Sequence, residues 1–556
     1  MRKLKYLLLI ITGIFCSCNE NEWLKEVPFD FYAPENSYTT PEQFNSAVAR
    51  LYEELNAHVM YSGFAASDVY HYTSDIAYYA ITTTHELVSY IDNLTPESAF
   101  TRRFWSSYYR IIYDANVIIQ RIDDENVKFK TETERNALKA EAMFFRAFSY
   151  RTLGIMYGGV PLVLEEITAP KRDFVRASRD ELWKQCISDL EFAAANLPNV
   201  TDLAEDGRLT KAAANHLLAE LYIIVQDYDK AITAASSIID DPNYNLMNAR
   251  FGSDKNKPGD VYWDLFRRGN QNRKGGNTES IWVSQYEYLV TGGGSGRQLA
   301  RSLIPLYWQL RGTDGINLFI GPCSQYGGRG IGFMAPTDYL LSDIWENDSN
   351  DIRNSPYNIM RDIIANNPKS AYYGQKIVES GAIANFPNYF NRYWTAIIAK
   401  AAPINNFPAE LIANAETGLT TNAANNTYRD DYYMRLAETY LLRAEAYLDK
   451  GDKTKAAADI NTVRARAHAT PVNPANVDID YILDERAREL NFEELRILTL
   501  MRLGKLVDRV KKYDPMSNGK FASNGIGDYQ NLWPIPQSEI ERNTEAALEQ
   551  NPGYAN

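Results

Sequence analysis

"HLLAELYIIVQDYDKAITAASSII" (residues 216–239) and "TYLLRAEAYLDKGDKTKAAADINTV" (residues 439–463) can be laid on one another. Each reads as an apolar helix with small alanine positions, a short polar turn ("QDYD", "KGDKTK"), and a second helix that opens on Lys-Ala. This is the helix–turn–helix plan of tetratricopeptide repeats, in which alanines let paired helices approach and the aromatic residue before the turn packs on the next helix. Two further pairs follow the same logic. One joins 40–58 to 101–122, the other 134–157 to 178–197. Thr40-Pro41-Glu42, and Ser178 ahead of Asp180 and Glu181, read as helix starts with acids in the first turn. Gly158-Gly159-Val160-Pro161 reads as a firm stop. The expected fold is all-α, about four tetratricopeptide-like pairs forming a superhelical frame.

Between the third pair and the last, the pattern changes. From 248 to 428 glycine, asparagine, proline and aromatic residues dominate, as in "TGGGSGRQ" (291–298) and "GPCSQYGGRGIGF" (321–333). A long irregular insertion in a rigid helical frame is usually functional or disordered, and its density of Tyr and Trp argues against disorder. The expected divisions are 40–247 for the N-terminal helical region, 248–428 for a loop-rich insertion carrying the ligand face, and 429–556 for the C-terminal region with the last repeat.

The N-terminus reads as a secretion signal. Arg2, Lys3 and Lys5 precede an apolar run from Tyr6 to Phe15, well short of the roughly 20 residues that cross a bilayer. Small Ser17 precedes Cys18, whereas bulky Phe15 precedes Cys16. Residues 1–17 are thus expected to be removed and Cys18 to head the mature chain, with 18–39 as a tether. A cysteine there resembles the lipobox of bacterial lipoproteins, and the acyl chains it would carry give a lasting anchor without a span.

Net charge is −13 and pI about 5.1, which argues against nucleic acid and anionic lipid surfaces as partners. Beyond the signal and the lipidated thiol only Cys186 and Cys323 remain, so no disulfide framework is expected. Cys186 reads as a core thiol. Aromatic residues make up 12% of the chain and 38 of them are Tyr, a composition suited to stacking on sugars or peptides.

The stretches "CNENEWL", "FWSSYYRIIYDANVIIQRI", "AEAMFFRAFSYRTLGIMYGGVPLV" (140–163), "GRLTKAAANHLLAELY" (207–222), "RLAETYLLRAEAYLDKG" (435–451), "ILDERARELNFEELRILTLMRLGKL" (482–506) and "LWPIPQSEIERN" come in this order. Together they resemble the SusD/RagB family of outer-membrane nutrient-binding lipoproteins. The resemblance implies a single helical domain, a ligand-capturing irregular face, and a SusC-like TonB-dependent transporter as partner. It also implies an oligosaccharide ligand, or in some members a peptide, and no cofactor. "EELRILTLMR" (493–502) departs from the usual motif at Glu494, Ile497 and Thr499. Glu20 and Glu22 behind Cys18 resemble the signal that sends such lipoproteins to the cell surface, with the lipid anchor as the only membrane contact.

The chain has no G-x-S-x-G elbow and no H-E-x-x-H, and His58, His71, His85, His216 and His468 are too scattered for a zinc site to be read. No catalytic residue and no metal ligand is assigned. An exported glycoside hydrolase would need two carboxylates across a cleft in unlike environments, and no acid is marked in that way. A scaffold that binds only protein is the remaining rival. "GGGSG" and "GGRG" lack phosphate-loop spacing and read as turns.

For ligand contacts, the segment 65–90 is informative because it is aromatic, and Asp75 would be costly inside it unless hydrogen-bonded. Tyr72 and Asp75 are expected contacts there, in the region that the family resemblance gives to the ligand face. From the insertion, Tyr326 and Arg329 in "SQYGGRG", Arg361, and Tyr389, Arg392 and Trp394 in "NYFNRYW" complete the set. Aromatic platforms stack on sugar rings while Arg and Asp grip hydroxyl pairs. Trp105 and Trp282 are expected in the core.

Overall fold

The computed structural model describes residues 37–60, 70–81, 88–203, 205–383, 392–517 and 525–554. Cys16, Cys18, Glu20, Glu22, His85 and Tyr389 lie outside these residues.

The helix starts form as their sequences dictate. Helix α1 (Pro41–Glu53) opens with a capping box in which the Thr40 hydroxyl accepts from Gln43 N and the Gln43 side chain returns to Thr40 N. Helices α2 (Ala99–Arg121) and α3 (Glu132–Tyr157) follow. Gly158, at φ +78°, ends α3, and a Cβ on Gly159 would meet Ala177 O at 2.3 Å. Helix α4 (Arg179–Asn196) carries the second capping box, Ser178 with Glu181. Helices α5 (Lys211–Ile224) and α6 (Tyr228–Ile239) form the third pair, and α7 (Leu436–Asp449) and α8 (Lys453–Arg466) the fourth.

The two quoted repeats share one turn geometry. Asp227 N bonds Tyr222 O and Asp452 N bonds Tyr447 O, both at 2.8 Å. Each aspartate then caps the second helix, accepting from Lys230 N or Lys455 N. The turn needs a left-handed residue, which is Gly451 in one repeat and Gln226, at φ +61°, in the other. Buried Ala219, Ala231, Ala235, Ala444 and Ala457 let α5, α6, α7 and α8 stack side by side. Neighbouring pairs are joined through α2 on α3, α4 on α5, and α6 on α7. Trp105, Trp282 and Cys186 are buried in the resulting core, and burial pushes the Cys186 thiol up.

The insertion is tied to this frame by short antiparallel pairings. Strand β1 (Ala77–Tyr79) pairs with β3 (Met334–Pro336), and β2 (Ser280–Ser284) with β8 (Asp431–Arg435) at the foot of α7. Two more pairs, β4 (Ile359–Met360) with β5 (Ile397–Ile398) and β6 (Ile412–Asn414) with β7 (Leu419–Thr420), close loops inside it. A buried charge cluster reinforces the join. Arg435 contacts Glu279, Glu489 and Glu493, Arg466 contacts Glu279 and Glu489, and Arg353 contacts Asp351, Glu485 and Glu489. Such a cluster is costly to break, since losing one member leaves an uncompensated charge in the interior. The insertion also has an apolar core of its own around Tyr307, Phe319, Tyr326 and Trp394.

No helix among the described residues is long and apolar enough to cross a membrane.

Candidate functional site

The segment 70–81 is anchored from three sides. Ile497 N bonds Tyr70 O at 3.1 Å, the Thr337 hydroxyl donates to Asp75 O at 2.6 Å, and Ala80 N donates to Phe333 O at 2.7 Å. Within it Asp75 is fully buried. Arg496 donates Nε to Oδ1 at 2.8 Å and Nη2 to Oδ2 at 2.5 Å, and Arg509 Nε adds a bond to Oδ2 at 2.7 Å. Burial alone would raise this carboxyl, but the two guanidiniums hold it below its ordinary value. Tyr72 is 1% exposed and packs in the main core. The expectation that Asp75 and Tyr72 touch ligand is therefore corrected: Asp75 is a structural ion-pair centre, and Tyr72 has no face to offer. The half-buried aromatic residue of this segment is Tyr79, whose ring lies 6.3 Å from that of Phe333.

Phe333 carries the site into the insertion. The Arg392 guanidinium lies 5.5 Å from the Phe333 ring, within cation–π range, while Arg392 Nε donates to Ile331 O at 3.0 Å. The same stretch seats Leu306, whose N bonds Arg392 O at 2.8 Å, and a Cβ on Gly332 (φ +60°) would meet that same oxygen at 2.1 Å. Next to it opens a groove of about 730 Å³ lined by Trp308, Arg311, Asn317, Phe319, Ile320 and Tyr393. Trp308 Nε1 donates to Gly330 O at 2.9 Å, which fixes the indole in place. Tyr393 is 38% exposed and Ile320 39%. No carboxylate is among the groove's lining residues.

The insertion core backs this groove. Tyr326 is buried, its ring edge-on to Tyr307 and Phe319 at 5.6 and 5.7 Å and its hydroxyl donating to Ile364 O at 2.8 Å. Trp394 is buried in the same cluster. Tyr326 and Trp394, expected as ligand platforms, are instead part of the packing behind the groove. Arg361 is spent elsewhere, donating to Leu341 O and to Asn354 Oδ1. Arg329 sits beside Arg301 and does not line the groove. None of the expected contacts among the described residues lines the groove; Arg392 sits beside it, next to Tyr393 in the chain.

Two family models divide the chain. The one described as "SusD family" matches residues 278–554, and the one described as "Starch-binding associating with outer membrane" matches residues 26–223. The chain belongs to the SusD family. SusD-like protein P25 of Formosa agariphila is 25% identical over 97% of both chains. A SusD-like protein of Bacteroides ovatus is 24% identical over 88% of this chain and 81% of its own. Among solved structures, a laminarin-binding SusD-like protein superposes with a TM-score of 0.67 at 22% identity, covering 92% of this chain and 99% of its own. Surface glycan-binding protein A of Bacteroides thetaiotaomicron, in complex with laminarihexaose, gives 0.66 at 21%, covering 92% and 100%.

The aromatic residues of this face that the sequence did not single out as contacts are Trp308, Tyr393, Phe333 and Tyr79. Nothing in the local pattern marks Tyr393, which sits in a bend ahead of the buried Trp394.

Proposed function

We propose that this SusD-family protein is a glycan-binding lipoprotein of the outer membrane that captures an oligosaccharide in the Trp308–Tyr393 groove and hands it to a SusC-like TonB-dependent transporter. The observation that carries the reading is the groove's make-up. Aromatic faces stand beside planar donors and acceptors (Gln309, Arg311, Asn317) on a backing whose rotamers are locked by packing, the combination that stacks on sugar rings and grips their hydroxyls. Two structural relatives, one laminarin-binding and one in complex with laminarihexaose, support the same class. The groove holds no carboxylate pair flanking a position for a scissile bond, so the reading is capture without catalysis. Lipidation at Cys18 would keep the captured chain at the cell surface and make delivery nearly intramolecular.

Native electrophoresis through gels containing laminarin, xylan, mannan or starch tests capture. Retardation by at least one polymer, with no shortened product over hours, is expected, and Trp308→Ala should lose it. Retardation by none, or a product that vanishes on changing one carboxylate, would overturn the reading. Cys18→Ala should move the protein to a soluble fraction, while Cys16→Ala should leave it in membranes.

A further inference from the structure

A second cleft lies where the insertion meets the first helix. It measures about 590 Å³ and is lined by Tyr52, Asn56, Trp282, Tyr433 and the glycine run 292–296. It continues into a groove of about 1060 Å³, with Gln285, Tyr286, Gly292 and Gly293 common to both. No residue of this cleft lines the Trp308–Tyr393 groove.

Its walls are rigid and chemically specific. Tyr433 stacks on Trp282 with ring centroids 4.1 Å apart and planes at 21°, and Tyr288 stands edge-on to Tyr428 at 5.2 Å. Asn56 Oδ1 accepts from the Ser284 hydroxyl at 2.9 Å and from the Tyr433 hydroxyl, which fixes the amide and leaves its two N–H donors for the cleft. A polar row crosses the junction. Gln285 Nε2 donates to Asn272 Oδ1 at 2.9 Å, Asn272 Nδ2 donates to Asp430 Oδ2 at 2.6 Å, and Asp430 Oδ1 accepts from Tyr286 N at 2.6 Å. The rim is flat. A Cβ on Gly294 would lie 3.1 Å from the Tyr286 ring and one on Gly293 would meet Glu287 O at 2.2 Å, while Gly292 has open space before it.

The geometry points to this cleft as a second binding site for a neutral oligosaccharide, engaging another stretch of the chain held by the first groove. This rests on the glycan reading above and deepens it. Ordered amides, a carboxylate and tyrosine faces suit hydroxyl-rich rings. Of the basic groups lining the cleft and its continuation, Arg208 is matched by Glu141 at 3.0 Å and Arg429 by Asp431 at 3.2 Å, and exposed Arg268 is outweighed by Glu53, Glu205, Asp206, Glu287, Glu410 and Asp430, so a sulfated or uronic chain is disfavoured. Two sites on one chain raise retention of a polymer through effective concentration, with no new contact at either.

The test uses the full chain, the four polymer gels, and calorimetry with the hexasaccharide cut from whichever polymer retards the wild type. Expected are two hexasaccharides per protein for the wild type and one for either Trp308→Ala or the pair Gln285→Ala with Tyr288→Ala. Each variant should weaken polymer retardation by about tenfold, and the combination should abolish it. Asn56→Asp, which changes the amide donors but little volume, serves as a second variant should the alanine pair melt early. A stoichiometry of one, lost with Trp308→Ala and untouched by the cleft variants, would overturn the second site and leave the first standing. Retention lost only with the cleft variants would uphold the cleft and overturn the first groove. A wild type retarded by no polymer would sink both.

Discussion

Asp75→Asn separates a structural carboxylate from a ligand contact. The change removes the charge that faces Arg496 and Arg509, both buried, and with it three charge-assisted hydrogen bonds of 2.5–2.8 Å. Two guanidiniums are then left near one another in the interior with one fewer anion between them, Arg496 keeping Glu494 at 2.8 Å and Arg509 keeping Asp484 at 2.7 Å. Breaking a buried pair from one side costs about 3–5 kcal/mol. For a chain of 556 residues the entropy of unfolding is roughly 1.2 kcal/mol/K, so the melting temperature should fall by about 3–4 °C. The pH dependence has a definite sign. The folded carboxyl titrates below its ordinary value of 3.8, so its contribution is fully present above that value and is lost as pH falls through the folded pKa. The Asn variant should therefore differ most from wild type near neutrality and converge with it in acid. Differential scanning calorimetry between pH 3 and 7, beside affinity electrophoresis at 20 °C, reads both effects. An Asn variant that melts with the wild type but no longer holds glycan would refute the reasoning, because Asp75 would then be facing ligand.

Trp394→Ala should cost about 3–5 kcal/mol of stability by opening a cavity behind the groove, whereas Tyr393→Ala should weaken glycan retention at unchanged melting temperature; paired melting and binding curves decide. Burial pushes Asp514 up to about 8 while its Oδ1 accepts from Met516 N at 2.8 Å. The unfolded chain releases this proton first, so stability should decline with rising pH between about 4 and 8 by up to about 1.4 kcal/mol per unit, and Asp514→Asn should flatten that slope in urea titrations. Gln226→Gly should stabilise by about 0.5–1 kcal/mol, since the turn requires φ +61° there and its counterpart is Gly451; a lower urea midpoint would count against it.

The helical frame was legible because its signals are local. Capping boxes span three residues, the period repeats every turn, and the Ala-rich pairs at 216–239 and 439–463 can be superposed by eye. The site was less so, for reasons its residues make plain. Asp75 looked like a polar group awaiting a ligand because its partners stand 421 and 434 positions away. Tyr326 sits ahead of Gly327 and Gly328, which suggested display, yet those left-handed glycines turn the ring inward onto Phe319. Trp308 was hidden in the ordinary-looking "LIPLYWQLRG", where only the tertiary fold distinguishes a groove wall from core.

The Asp75 ion pair also bears on how the chain reaches its native state. During synthesis residue 75 emerges some 420 residues before Arg496, and β1 waits about as long as it takes to make the whole of 80–333 before β3 exists to pair with it. Sequence separations of this size make closure slow and leave apolar surface uncovered in the interim. The repeat pairs, whose contacts are local, can form first and independently. The segment behind Tyr79 is then locked late, when Arg496 and Arg509 arrive, so a chain stalled at that stage would hold its local helix pairs with residues 70–81 not yet docked.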